Sequence, residues 1–450
     1  MKRFAFFLLV GAGLTPSIAS AHGIGQVYAL PVPLQYYLLG AGLTVAVSFF
    51  VLSIFFNKRN AGDQVDKEIS VGWLSFIVVI LKVVAVLLLL LTIATGVFGT
   101  QSALKNFAPV FFWIYFLIGL GVISVLIGNI WEKINPWKTI SDWVNERQPS
   151  KQISGVCGIL LLLGLFWFEL VSGQSFVPRA IGFALALYTL ANLVGSLFYE
   201  NWYKDAELFS VFFGFVGKLA HFRIGNDNQY LIIVNENKKL DGHRAAWWTL
   251  GIASILLAGA SFDSLKETVM WFRWLNVLGF ASNSMIAPTI GILLAPLPFL
   301  LLYLLAVWIM KQLVGKEYTT LDLAQRFVWS LIPIAFGYTL AHNFSLTIVT
   351  APQMLAIVSD PFGLGWNLFH TASFARSSLI LGAKMVWFIE IGFVILAHIF
   401  GVWYAHVLAT NIFKDSKTAL KSQYPMMVLM VCFTIMTLWL LSAPLVVTTK

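Results

Sequence analysis

The sequence predicts an all-α fold: a polytopic bundle of about ten transmembrane helices with the mature N- and C-termini both periplasmic. Three observations lead there. Of 450 residues, 59% are hydrophobic and only 11% charged, too few charges to cover a soluble surface of that size. Ten apolar runs are each long enough to cross a hydrocarbon core of about 30 Å. The Lys and Arg residues concentrate on one set of alternating connections.

The first segment reads as a cleavable signal peptide, 1–21. Lys2 and Arg3 make a charged start, Phe4 to Ala12 an apolar stretch too short to span, and Ala19-Ser20-Ala21 a small-residue cleavage site. Cleavage there leaves His22 as the mature N-terminus, where an imidazole and a free α-amine on one residue can chelate one metal ion. The remainder, 22–450, reads as a single integral membrane domain. Its apolar runs fall at about 34–56, 73–98, 107–129, 154–172, 180–199, 246–262, 286–311, 326–350, 384–411 and 425–447.

With His22 outside, the connections on the inner side carry Lys58, Arg59, Lys67, Lys133, Lys138, Arg147, Lys151, Lys204, Lys218, Arg223, Lys238, Lys239, Arg244, Lys311, Lys316, Arg326, Lys414, Lys417 and Lys421. The outer side carries Lys105, Arg179, Lys266, Arg273, Arg376, Lys384 and Lys450. That bias is the positive-inside pattern of a bacterial inner-membrane, multi-pass protein, and it agrees with the signal-peptide orientation. The net charge of +9 is thereby a topology signal, and no nucleic-acid partner is expected. Cys157 and Cys432 both lie within apolar runs, so no disulfide framework is expected.

Two inner connections carry apolar residues of their own. Trp131, Ile134, Trp137, Ile140 and Trp143 recur every third residue after the third span, with Asn135-Pro136 as a helix start, which predicts an interfacial helix with Trp at headgroup level. A cytoplasmic insert at about 200–245 contains Phe209, Phe212, Phe213, Phe215 and Val216 before a β-like stretch from Tyr230 to Val234, and is expected to lie on the membrane. On the outer side, 263–285 and 351–383 are longer than simple turns, and long connections are often functional.

Chemistry is expected at ionisable groups inside the spans, since each costs free energy unless it pairs or serves a site. These are Lys82, Glu169, His342, Glu390, His398 and His406. From a rise of about 1.5 Å per residue, His342 lies roughly 12 Å, Glu390 roughly 9 Å and Glu169 about 5 Å below the outer ends of their helices. With His22 above them, these three share a level and are candidate metal ligands. Imidazole, amine and carboxylate donors suit a transition metal, copper ahead of zinc. Asp263 and Asp360, on the outer connections, are candidate catalytic groups that would orient a metal-bound water. His398 and His406 stand eight residues apart, as do Glu390 and His398, so each step is about 12 Å of rise and about 80° of turn. With Lys82 they read as a relay across the membrane, not as a cage. A phosphate-cradling Gly-rich loop, a Cys-x-x-Cys pair, a His-Glu-x-x-His helix and a Gly-x-Ser-x-Gly elbow are all missing from the sequence, which argues against an ATP-driven pump and against soluble-type proteases.

A resemblance adds to this. The mature start His22-Gly23-Ile24-Gly25 leading to Leu30-Pro31-Val32-Pro33, Asn135-Pro136-Trp137, Lys218-Leu219-Ala220, Phe262-Asp263-Ser264-Leu265, Tyr338-Thr339-Leu340-Ala341-His342-Asn343-Phe344-Ser345, Ser359-Asp360-Pro361-Phe362-Gly363-Leu364-Gly365-Trp366, and the pairs Ala397-His398 and Ala405-His406 together resemble bacterial multi-spanning proteins of the fenitrothion hydrolase-like family. The resemblance covers most of the chain. It implies a membrane-bound protein, with some members associated with cleaving a phosphotriester insecticide; it assigns no catalytic residues. Three readings therefore stand: a periplasm-facing metal site in transport or metal handling, a metal-dependent ester hydrolase, and a membrane scaffold. The expected partners are the lipid bilayer and a metal ion or small-molecule substrate from the periplasm.

Overall fold

The computed structural model describes residues 33–55, 66–144, 149–235, 239–240, 242–281, 284–374 and 381–442. The signal peptide and His22 lie outside the described residues. The chain is an all-α helix bundle, and among the described residues eight helices are long and apolar enough to cross a membrane: Leu34–Ile54, Leu74–Phe98, Phe107–Ile127, Pro178–Phe198, Ile286–Val314, Thr320–Ile357, Lys384–Ile412 and Ser416–Ser442. It is a multi-pass membrane protein. The two other apolar runs of the sequence are also helical, Val156–Leu170 and Thr249–Lys266.

Thr249–Lys266 is the most enclosed of these helices, with nearly every residue from Thr249 to Ser264 buried. It packs against Val156–Leu170, Ile286–Val314, Ile332–Thr350 and Ser416–Ser442. A helix surrounded by other helices can carry Ser254, Ser261, Asp263 and Ser264, because protein groups rather than lipid meet its polar atoms.

Local chemistry sets the helix joints. Asn106 starts Phe107–Ile127 by accepting from Ala108 N, and its amide donates to Thr95 O and Thr100 O, tying the new helix to the end of Leu74–Phe98. Over Phe111–Gly119 this span is wound as a π-helix, a rare form that is frequent at functional sites. Glycine lets two spans touch. A Cβ on Gly96 would stand 2.7 Å from Pro178 O and 2.9 Å from Gly182 Cα, backbone atoms that cannot step aside. Gly96→Val is expected to part Leu74–Phe98 from Pro178–Phe198 and cost about 1–3 kcal/mol. Thermal unfolding in detergent checks this beside Gly40→Val, where the new side chain meets open space.

The inner connections correct the sequence reading. Trp131 and Trp137 are 3% and 1% exposed, while Trp143 is 64% exposed; of the three, only Trp143 is free to reach a headgroup. Residues 200–245 do not simply lie on the surface either. Leu208–Val216 is a nine-residue helix sunk into the core, buried along its length except at Gly214. Trp131, Trp137, Tyr188, Phe116, Phe209 and Phe213 interlock with ring centroids 4.8–6.4 Å apart, within the range of favourable aromatic packing. The β-like stretch is a strand, Tyr230–Ile233, set between Lys67–Ser70 and Phe222–Ile224 in an antiparallel three-stranded sheet.

Glu207 holds this arrangement in place. It has no exposed surface. Its Oε1 accepts from Tyr188 O–H (2.6 Å) and Phe209 N–H (2.9 Å). Its Oε2 accepts from Trp131 Nε1 (3.0 Å), Asn135 Nδ2 (3.1 Å), Ser210 N (2.7 Å) and Ser210 Oγ (2.6 Å). One carboxylate thus caps Leu208–Val216 and fastens it to two other parts of the bundle.

Candidate functional site

The end of Thr249–Lys266 and the middle of Ile332–Thr350 bring Asp263 and His342 together. His342 Nε2 lies 2.6 Å from Asp263 Oδ2, and Lys266 Nζ lies 2.9 Å from Asp263 Oδ1. Lys266 Nζ also donates to Leu170 O at 3.0 Å, tying in the end of Val156–Leu170. The other ring nitrogen, His342 Nδ1, is 3.3 Å from Ser264 Oγ. The side chains of Asp263, His342 and Lys266 are 4%, 11% and 20% exposed, so the cluster is largely buried and each contact acts in a lowered dielectric.

The chemistry of this cluster follows from its donor inventory. Nε2–H donates to the carboxylate, and in the neutral ring Nδ1 accepts from the Ser264 hydroxyl. When the ring carries a second proton, Nδ1–H donates and the same hydroxyl turns to accept. Both protonation states of His342 therefore keep both hydrogen bonds. Lys266 and His342 share one carboxylate, which keeps an anion inside the bundle without leaving it unpaired.

Glu390 reaches the same helix one turn further on: Ser345 Oγ donates to Glu390 Oε1 at 2.8 Å, and Ser345 follows His342 by three residues, on the same helix face. Glu169 lines a cavity with Asp263, His342, Thr339 and Asn343. Its volume is about 50 Å³, room for roughly three waters at about 15 Å³ each. Trp113, Leu117 and Ile118 of the π-helical stretch line it too, as do Phe212 and Phe336.

Other nominated residues do different work. The two carboxylate oxygens of Asp360 accept from Leu364 N and Gly365 N, each at 2.8 Å, within its own loop. That loop is fastened to 100–107 by Thr100 N to Phe362 O and Phe107 N to Pro361 O, and Asp360 does not line the cavity. It shapes a turn. The proposed relay is not continuous. His398, fully buried, has Nδ1 2.8 Å from Val394 O of its own helix. His406 Nδ1 is 2.9 Å from Gln423 Oε1 and so joins Ala383–Ile412 to Ser416–Ser442. Lys82 sits half-buried on Leu74–Phe98, which packs mainly on Pro178–Phe198, Phe107–Val110 and Pro136–Val144; the histidine helix packs on Ile332–Thr350, Ser416–Ser442 and Leu34–Phe55.

Sequence reasoning passed over Lys266, Ser264 and Glu207. The i,i+3 spacing of Asp263 and Lys266 was a readable signal for the first; nothing in the sequence around Glu207 marks six converging donors. Among the described residues, no group of three or more His, Cys, Asp or Glu side chains is placed to hold a metal ion. Comparison with protein-family models, with curated proteins and with solved structures found no match to this chain.

Proposed function

We propose that this protein is an inner-membrane permease in which Asp263, His342 and Lys266 form the coupling site, taking up a proton from the outer cavity. The observation that carries this reading is the shared carboxylate: His342 and Lys266 stand on the two oxygens of Asp263 inside the bundle, where ionisable groups mark ion and proton paths. A proton needs only the hydrogen-bond reversal available through Ser264. A transition-metal ion needs more. It would have to displace the Lys266 ammonium and recruit donors beyond His342 and Asp263, with Glu169 nearby and His22 as the N-terminal chelator. Copper remains the metal that this donor chemistry favours, as cargo rather than as the coupling species.

Ester hydrolysis has one observation in its favour, the order Ser264, His342, Asp263. Two others oppose it. Ser264 is 1% exposed and does not line the cavity, so its hydroxyl sets the ring instead of meeting a substrate. The cavity of about 50 Å³ is far below the roughly 300 Å³ at which pockets begin to hold a drug-sized ligand such as an aryl phosphotriester.

The test is proton flux into proteoliposomes, together with metal content by mass spectrometry, for the wild type, His22→Ala, His342→Ala and Asp263→Asn. The expected result is acid-driven flux that disappears in His342→Ala and Asp263→Asn and persists in His22→Ala. Stoichiometric copper or zinc, lost in both His22→Ala and His342→Ala, would overturn the proton reading in favour of a metal site. A folded protein with neither flux nor metal would leave a scaffold.

A further inference from the structure

A second and much larger cavity, about 1440 Å³, opens among the inner connections. Asn129, Asn135, Lys204 and Arg223 line it, and so do Ser210 and Gly214 of the sunken helix Leu208–Val216. Phe212, between those two, lines the outer cavity instead. On a helix, residues 210 and 214 share a face and residue 212 points roughly opposite. Phe107–Ile127 also contributes to both linings, but through Ile118 and Ile127, nine residues apart. Among the described residues, Leu208–Val216 brings the two linings closest in sequence, Phe212 standing two residues from both Ser210 and Gly214.

The partition is apolar and aromatic. A Cβ on Gly121 would stand 3.1 Å from Phe336 Cε2 and 3.9 Å from Phe212 Cε1, so the two rings close over a bare stretch of backbone. Phe212 meets Phe213 with centroids 5.1 Å apart. At about 1.5 Å per residue the helix is roughly 13 Å long, less than half of a membrane core of about 30 Å. A short segment is tolerated at membrane depth where it is buried in protein, and Leu208–Val216 is buried along nearly its whole length.

We infer that Leu208–Val216 is the barrier of a translocation path between the two cavities, with Phe212 as its closing side chain. This rests on the transport reading. The Glu207 carboxylate fixes the N-terminal end of the helix, Ser210 and Gly214 face the wide inner vestibule, and Phe212 keeps the outer waters from joining it, as hydrophobic constrictions do by dewetting. The path suits a proton or a small hydrated cation.

The experiment uses the full chain with Cys157 and Cys432, its free thiols, replaced by serine. Gly214→Cys has room, its Cβ meeting Asn129 Nδ2 at 3.5 Å, and is expected to react with a membrane-impermeant maleimide from the inner face only. Phe212→Ala is expected to give proteoliposomes a passive proton leak that Phe212→Leu lacks, and to keep that leak when Asp263→Asn is added. Phe212→Val carries the test if the alanine variant fails to fold. Labelling of Gly214→Cys from the outer face, or a folded Phe212→Ala as tight as wild type, would overturn the barrier. A leak in Phe212→Ala with coupled flux unaffected by Asp263→Asn would keep the barrier and sink the coupling site instead.

Discussion

Glu207→Ala is expected to be the most damaging single change in the protein. It removes the acceptor for Tyr188, Trp131, Asn135, the Ser210 hydroxyl and two backbone N–H groups, and the groups left behind face an apolar core. A buried donor left without a partner costs about 1–3 kcal/mol. Even a few such losses exceed about 4 kcal/mol, a size of effect reserved for broken buried networks. The variant should fail to give a monodisperse species in detergent. Glu207→Gln keeps the shape but turns one acceptor into a donor, so it should unfold at a temperature between the alanine variant and wild type. Equal stability of Glu207→Gln and wild type would show that packing of the phenylalanines, not the carboxylate, holds Leu208–Val216 in place.

Asp263→Ala is expected to have the second largest effect, and one that separates stability from function. Its loss strands the Lys266 ammonium and His342 Nε2 in a largely buried site, a broken buried pair worth about 3 kcal/mol. Removing Lys266 as well takes away the stranded charge, so Asp263→Ala/Lys266→Ala should be more stable than Asp263→Ala alone, with a coupling of about 0.5–3 kcal/mol. Coupled flux should not return in the double variant, because the carboxylate on which the proposed coupling depends is still missing. Strict additivity of the two substitutions would mean that the 2.9 Å contact between Lys266 and Asp263 contributes nothing to the fold.

Some of this was legible in the chain. The helices came from apolar runs, which lipid imposes on any spanning segment whatever its neighbours. Depth arithmetic set Glu169, His342 and Glu390 at one level, and the structure has Glu169 lining a cavity beside His342 and Glu390 held by Ser345, one turn from that histidine. Depth says nothing about azimuth. Equal spacing along the chain makes His398 and His406 look like steps of one relay, yet one bonds within its own helix and the other to a neighbouring helix.

Hydropathy and charge placement by themselves determined that this is a multi-pass helical membrane protein, and they marked the ionisable residues inside it. Only the tertiary structure decided which helices touch. It paired Asp263 with His342 across 79 residues of sequence, reduced Asp360 to a turn former, and took the tryptophans and phenylalanines of two inner connections off the expected membrane surface and packed them round Glu207. The physical reason is that an apolar side chain is equally content against lipid or against protein. The hydrogen bonds of a few buried polar groups, which must find one another, settle which of the two it meets.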